Sequence, residues 1–208
     1  MIPAGYMIDH STGALCSIDK SISAKYDHDY VARYENYPQA ELSAIRAVIA
    51  SRFCDKMETV CDVGFGTGAF LSEIHDLIPS AGIYGFDVSP YAPPPFVQIE
   101  PNWIDKEWSL LTFFDSLEHF QSISFIRSLQ TKVVMVSVPW FHPYFGEKWF
   151  NEWKHKRPGE HLWHFTPSRL AAAFANGGYK TRYIGSPEDY VRVGTGDCPN
   201  ILTMVFSK

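Results

Sequence analysis

The spacing of apolar residues changes period several times along this chain, and each change predicts an element. Across residues 39–53, Leu42, Ile45, Ile49 and Phe53 recur at steps of three and four, the spacing of one helical face. Residues 59–63 are instead a short β-prone run that ends at a glycine. Phe70, Leu71, Ile74, Leu77 and Ile78 restore the helical step directly afterwards, and residues 82–87 read as the next strand. Pro90, Pro93, Pro94 and Pro95 then exclude a long helix, because proline removes a donor and clashes with the preceding turn. Residues 96–99 and 108–114 read as strands, and a helix is expected over about 116–129. The β-branched run KVVMVSVP at 132–139 suits a central strand covered on both faces. Thr166 as N-cap, Pro167 at the first helical position, buried-face Leu170 and Phe174, and the stop at Gly177-Gly178 outline a last helix. Residues 179–184 and 201–206 close the chain as strands. The helix-free loop 185–199 lets them pair antiparallel, as an edge hairpin or its equivalent.

Strands alternating with helices predict an α/β fold, a Rossmann-like doubly wound sheet that is mostly parallel. Residues 1–57 read as an N-terminal cap and helix on the core, and 58–208 as the core itself with an aromatic insertion at 139–165, together one structural domain. Tyr26, Tyr30, Tyr34 and Tyr37 are spaced to share a helical face, where they cover a ligand or join the core.

Composition narrows the class further. The chain has 208 residues, 46% hydrophobic and 20% charged, as in ordinary globular domains. It has no apolar run long enough for a membrane span, and its N-terminus lacks the pattern of a secretory signal. Four scattered cysteines suggest neither a zinc site nor a disulfide framework, so a reduced, cytoplasmic setting is expected. The net charge of −5 argues against a nucleic-acid partner.

The motif with chemical content is VCDVGFGTGAF, residues 60–70, running from strand through a glycine-rich turn into a helix. Glycines there permit a sharp bend and close approach of a ligand to the main chain, toward which the helix directs free N–H groups. Asp87, 23 residues beyond Gly64, closes the following strand, where a carboxylate can accept ribose hydroxyls. NAD would fit this geometry too. Asp62, two residues before the first glycine, favours S-adenosylmethionine (SAM), whose ammonium it suits. The roughly 120 residues left after three strands are also few for a separate dehydrogenase substrate domain.

With its later segments, IYGFDVSPYA (83–92), LLTFFDSLEHF (110–120), VVMVSVP (133–139) and EHLWHFTPSRLAAAFANGGY (160–179), the chain resembles the class I SAM-dependent methyltransferases, in the small-molecule branch of ubiquinone and menaquinone methyltransferases. The resemblance implies a seven-stranded sheet with the last strand antiparallel. It also implies cofactor contacts at Asp62, Gly64, Phe65, Gly66, Gly68, Asp87, Val88 and Asp115. The segments after the second and third strands are too short for the family's usual helices. Trp103 stands near the adenine side, to stack on the base or pack the loop.

Methyl transfer needs alignment more than covalent catalysis, and a base only where the acceptor must lose a proton. Asp115, Glu118 and His119 would share one face at a helix start. With His161, and with His164 nearby, Glu118 and His119 are the catalytic candidates. Bracing the fold, general-base work by one histidine and binding of a divalent metal are the readings open to them, and the sequence assigns no metal ligand. The aromatic insertion follows the fifth core strand, on the ligand side of such sheets. Trp140, Phe141, Trp149, Trp153 and Trp163 are expected to line the acceptor or to bury one another. The expected activity is methyl transfer to an oxygen or nitrogen of a small-molecule or sugar-like acceptor by a monomer or homodimer. A non-catalytic SAM-fold scaffold and a metal-dependent RNA-end methyltransferase are the alternatives.

Overall fold

The computed structural model describes residues 2–32, 37–192 and 198–208. An N-terminal hairpin of β1 (Tyr6–Ile8) and β2 (Leu15–Ser17) leads to a short α1 (His28–Ala32) and to α2 (Gln39–Phe53). The core then runs β3 (Thr59–Val63), α3 (Ala69–Leu77), β4 (Gly82–Phe86), β5 (Gln98–Ile99), β6 (Leu110–Phe114) and β7 (Val133–Pro139). After it come α4 (Gly146–Glu152), β8 (Trp163–His164), α5 (Pro167–Ala175), β9 (Lys180–Gly185) and β10 (Ile201–Ser207). Tyr34 of the tyrosine series lies outside the described residues.

Seven strands form one sheet in the order β5-β4-β3-β6-β7-β10-β9. The five strands from β3 to β7 pair in parallel, whereas β10 is antiparallel to both its neighbours. The last strand is therefore inserted between β7 and β9 instead of lying at the edge. Its alternating side chains explain why: Leu202, Met204 and Phe206 join one core face and Val205 the other, so both sides must be covered. From β3 the chain winds outward to β5 and then returns to β6 on β3's other side. That reversal opens a crevice at the strands' carboxyl ends, where open α/β sheets bind ligands.

Alternation along the strands divides the core into two layers. Val60, Leu110 and Met135 meet Ala47 and Ala50 of α2 and Phe70, Leu71 and Ile74 of α3. Cys61, Leu111, Phe113 and Val136 face α5 and a cluster containing Trp103 and Trp108. Trp103 is only 5% exposed, edge-on to Phe113 and Phe125, so its ring packs the core and is unavailable for adenine. On α2 the buried stripe is Leu42, Ser43, Arg46, Ala47 and Ala50, rotated from the one the apolar spacing predicts. A buried arginine is what a purely apolar count passes over.

One expectation fails locally. Residues 116–129 form no α-helix; they make 3-10 turns at Leu117–His119 and Ser124–Arg127. Asp115 precedes the first turn at φ 52°, the only positive-φ non-glycine among the described residues, and Ser122 hydrogen-bonds Ser124 in the break between the turns. These local bonds compete with a helical ladder. The N-terminal residues and the insertion also pair with each other. β8 adds antiparallel to β2, so β1, β2 and β8 form a small second sheet beside the carboxyl ends of the core strands. Among the described residues, no helix is long and apolar enough to cross a membrane.

Candidate functional site

Gly64, Gly66 and Gly68 all take positive φ, at 86°, 55° and 75°. The turn they make is closely packed: a Cβ on Gly64 would lie 2.6 Å from that of Ser116, and one on Gly68 would lie 2.6 Å from the Pro94 ring. At Gly66 the nearest atom to such a Cβ would be the Tyr91 ring edge at 3.9 Å, so the main chain there is open to a ligand. Phe65 is 7% exposed and packs its ring against Gly85 of β4.

Asp62 is 2% exposed and pairs in register with Thr112 of β6, whose hydroxyl donates to its Oδ1 at 2.7 Å. Burial pushes the carboxyl up to about 7, against the opposing Thr112 bond and the Arg46 charge. A buried carboxylate so incompletely compensated fits an incoming ammonium group. Asp87 anchors the neighbouring bend: Oδ2 accepts from Gly66 N–H at 2.8 Å and Oδ1 from Ser89 N–H at 2.7 Å. Oδ1 also accepts from the Ser89 hydroxyl, so it is Oδ2 that keeps acceptor capacity for a ribose hydroxyl. Val88 is 69% exposed beside it. The cradle therefore fits SAM, which Asp62 could hold by its amino group and Asp87 by its ribose.

Asp115 closes β6, but its carboxylate is engaged by cations. Arg192 binds it with both terminal nitrogens, Nη1 at 2.9 Å, and Arg46 Nη2 lies at 3.2 Å. Burial raises its pKa, and the two guanidiniums outweigh that and hold it below the ordinary carboxylate range. Both arginines also bind Glu188, which is fully buried in the 3-10 turn Pro187–Tyr190. Arg46, Arg192 and Glu188 escaped sequence reasoning. The available signal was Arg46 itself, four residues after Leu42 and four before Ala50 on one helical face.

The 3-10 turn after Asp115 delivers the catalytic candidates. Glu118 is 1% exposed, and the His119 and His161 rings meet edge to face at 4.8 Å. Leu162 N–H donates to the Glu118 carbonyl at 2.8 Å, which is how the entry to β8 reaches this turn. Tyr26 Oη lies 2.7 Å from His119 Nδ1, so the N-terminal segment closes over the cluster. Burial lowers the His119 pKa to about 4 and drives that of His161 well below the usual range, so both are neutral near pH 7. Burial and the Asp115 charge raise that of Glu118 well above the usual range. His164 turns away into the second sheet, against Phe150 and Trp153.

The five aromatic candidates do not form one wall. Trp163 is 6% exposed, donates to Phe120 O at 2.7 Å and carries Lys20 over its ring. Phe141 packs with Tyr6, Leu15 and Phe150 in a separate small core, while Trp149 and Trp153 stack at 5.1 Å on its border. Trp140 stacks on His142 at 5.5 Å. Only Trp140, Trp149 and Trp153 of the five remain half-buried.

The family described as methyltransferase domain matches residues 34–184. Comparison with curated proteins finds no match. Among solved structures, the fold is similar to a SAM-dependent methyltransferase from Aquifex aeolicus, with TM-score 0.60 and 14% identity over 88% of this chain and 98% of that one. It is similar to a SAM-dependent methyltransferase from Mesorhizobium loti, with TM-score 0.56 and 17% identity over 81% and 98%. A third similar structure is the magnesium protoporphyrin IX methyltransferase of Synechocystis PCC 6803 with bound SAH, with TM-score 0.54 and 14% identity over 82% and 85%.

Proposed function

The chain belongs to the methyltransferase-domain family, a SAM-dependent class I methyltransferase, and from that premise we propose that it methylates an oxygen or nitrogen of a small-molecule or sugar-like acceptor. The observation that carries the donor half is Asp62, a buried carboxylate with one hydrogen bond among the described residues, beneath an open glycine bend. SAM supplies a methyl group already activated by its sulfonium. The protein's share is to hold the amino-acid end through Asp62 and the ribose through Asp87, and to exclude water.

The acceptor half rests on position. Ser116 Oγ donates to Val63 O at 2.6 Å, tying the turn that carries Glu118 and His119 to the glycine bend. An acceptor entering beside the donor would thus meet His119 and His161, with Trp140, Trp149 and Trp153 at the rim. Small pockets of this kind combine aromatic walls with a few polar groups. The acidic charge of the chain favours such an acceptor over a polyanion.

Calorimetry of SAM and S-adenosylhomocysteine against the purified chain tests the donor half, and labelled-methyl transfer into fractionated metabolites tests the acceptor half. Saturable binding is expected, weakened about tenfold or more in Asp62→Asn by loss of a charge-assisted bond. Lack of saturable binding by either nucleoside overturns the reading.

A further inference from the structure

We propose that Glu118, His119 and His161 bind a divalent transition-metal ion that seats an oxygen of the methyl acceptor. The proposal rests on the function given above for the identity of the acceptor group, while the ion site stands on its own geometry.

Each of the three side chains offers one ligand atom, and these atoms lie within 4.8 Å of one another. Glu118 Oε1 and His119 Nε2 are 3.9 Å apart. An ion about 2.1 Å from each ligand needs the atoms closer than that, a contraction of about 1 Å that side-chain rotations supply.

The hydrogen bonds explain why a cation belongs there. His161 Nδ1 is 2.9 Å from the His155 carbonyl, which can only accept, so the ring proton sits on Nδ1 and Nε2 is a bare lone pair. Beyond its own backbone N–H, neither oxygen of the buried Glu118 carboxylate has a hydrogen-bond donor among the described residues. His119 Nδ1 meets the Tyr26 hydroxyl at 2.7 Å, and when that nitrogen donates, Nε2 is likewise an acceptor. Acceptors therefore face acceptors in a buried space. A proton on Glu118 would supply one donor for the set, whereas a divalent ion satisfies all three at once.

The nearest further carboxylate is already engaged: Glu160 Oε1 is 4.0 Å from His161 Nε2 but accepts from Arg157 Nη1 at 3.0 Å. Each histidine is oriented through its second nitrogen, as ligating imidazoles usually are. Two imidazoles and a carboxylate favour zinc, cobalt or manganese over magnesium or calcium. Three protein ligands leave positions open, as in catalytic sites. An acceptor hydroxyl bound there loses its proton to solvent more readily. The oxygen then forms its bond to the methyl carbon as the carbon–sulfur bond breaks, and the sulfonium leaves as a neutral thioether.

The test uses the full chain stripped with a chelator. Cobalt(II) is titrated by visible absorption, zinc by competition, and SAM by calorimetry in parallel. Wild-type protein is expected to take up one cobalt ion with nitrogen- and oxygen-ligand bands that zinc abolishes. His119→Ala and His161→Ala are expected to lower affinity at least about 100-fold, and Tyr26→Phe about tenfold by freeing the His119 ring. No cobalt uptake by protein that still binds SAM overturns the proposal, as does uptake undiminished in both histidine-to-alanine variants. Loss of SAM binding with cobalt uptake intact removes the donor reading and leaves the ion site supported.

Discussion

Arg46 and Glu188 stand 142 positions apart in sequence and meet as a two-pronged ion pair, with Nε to Oε1 and Nη2 to Oε2 both at 2.9 Å. The pair joins α2 to the turn after β9, and both side chains are buried. Arg46 also lies over the Phe114 ring at 4.2 Å, which brings its charge to the end of β6 beside Asp115. One ion-pair network thus joins the first long helix, the strand that leads into the Leu117–His119 turn and the loop before β10.

Removing one member should be costly. In Glu188→Ala, Arg46 and Arg192 would share the Asp115 carboxylate alone, and breaking a buried pair costs about 3–5 kcal/mol. Urea unfolding is expected to show that loss. Replacing both partners in Arg46→Met/Glu188→Leu should recover most of it, since no uncompensated buried charge remains. A single-variant loss under about 1 kcal/mol would mean that the network is solvated.

Asp62 sets a pH dependence for cofactor binding. Its carboxyl titrates near 7 in the free chain, so it is neutral below that pH and charged above it. The cationic amino group of SAM favours the charged form. Affinity should therefore hold steady above pH 7 and weaken as pH falls, by at most about tenfold per unit. Asp62→Asn is expected to bind weakly at pH 8 and to show no step near neutrality. Calorimetry across pH 6 to 8.5 (a span of about two and a half units) checks both. A flat wild-type profile would remove Asp62 from the site.

The legible parts of this protein were those in which neighbours in sequence act together. Residues 60–70 carry the strand, bend and helix of the cradle within a few positions, and Thr166-Pro167 with Gly177-Gly178 bound α5 by local capping alone: Thr166 accepts from Arg169 N–H at 3.3 Å, and Gly178 takes φ 82°. What stayed hidden depends on distant partners. Nothing near Arg46 announces Glu188. The pairing of β8 with β2 joins segments about 150 residues apart, so the aromatic insertion stayed open in the sequence between a pocket wall and rings that bury one another, and much of it packs in a small core beside the second sheet. The Leu117–His119 turn has helical composition, yet Ser122 bonds Ser124 in the break before the next turn, and that local bonding replaces a continuous helical ladder.

Gly66 and Gly68 should respond differently to alanine. Both need positive φ, which costs a residue with a side chain about 1–2 kcal/mol. At Gly68 the new methyl also meets the Pro94 ring at 2.6 Å, so the segment covering the bend must move and stability should fall further. At Gly66 the methyl enters open space, so the folding loss stays near the backbone cost while SAM affinity drops. Thermal melts and calorimetry on the two variants separate these effects. Equal affinity in Gly66→Ala and wild type would show that no ligand approaches that backbone.

His164 should make the fold sensitive to acid. It is 2% exposed, its ring 5.1 Å from Phe150 and 5.4 Å from Tyr6, and Nε2 has no hydrogen-bond partner among the described residues. Burial lowers its pKa to about 3, with the charges of Lys156 and His155 acting in the same direction. The sign follows from proton counting. Above about pH 6.5 the ring is neutral in both folded and unfolded chains and contributes no pH dependence. As pH falls toward 3 the unfolded chain takes up a proton that the folded chain refuses, and stability declines by at most about 1.4 kcal/mol per unit. His164→Phe keeps an aromatic ring in an aromatic cage and removes the titration. The variant should therefore match wild type within about 1 kcal/mol at pH 7.5 and exceed it by about 2–3 kcal/mol at pH 4.5. Parallel urea melts at the two pH values measure the difference, and identical pH slopes for both proteins would mean that the ring is protonated, and hence hydrated, in the native state.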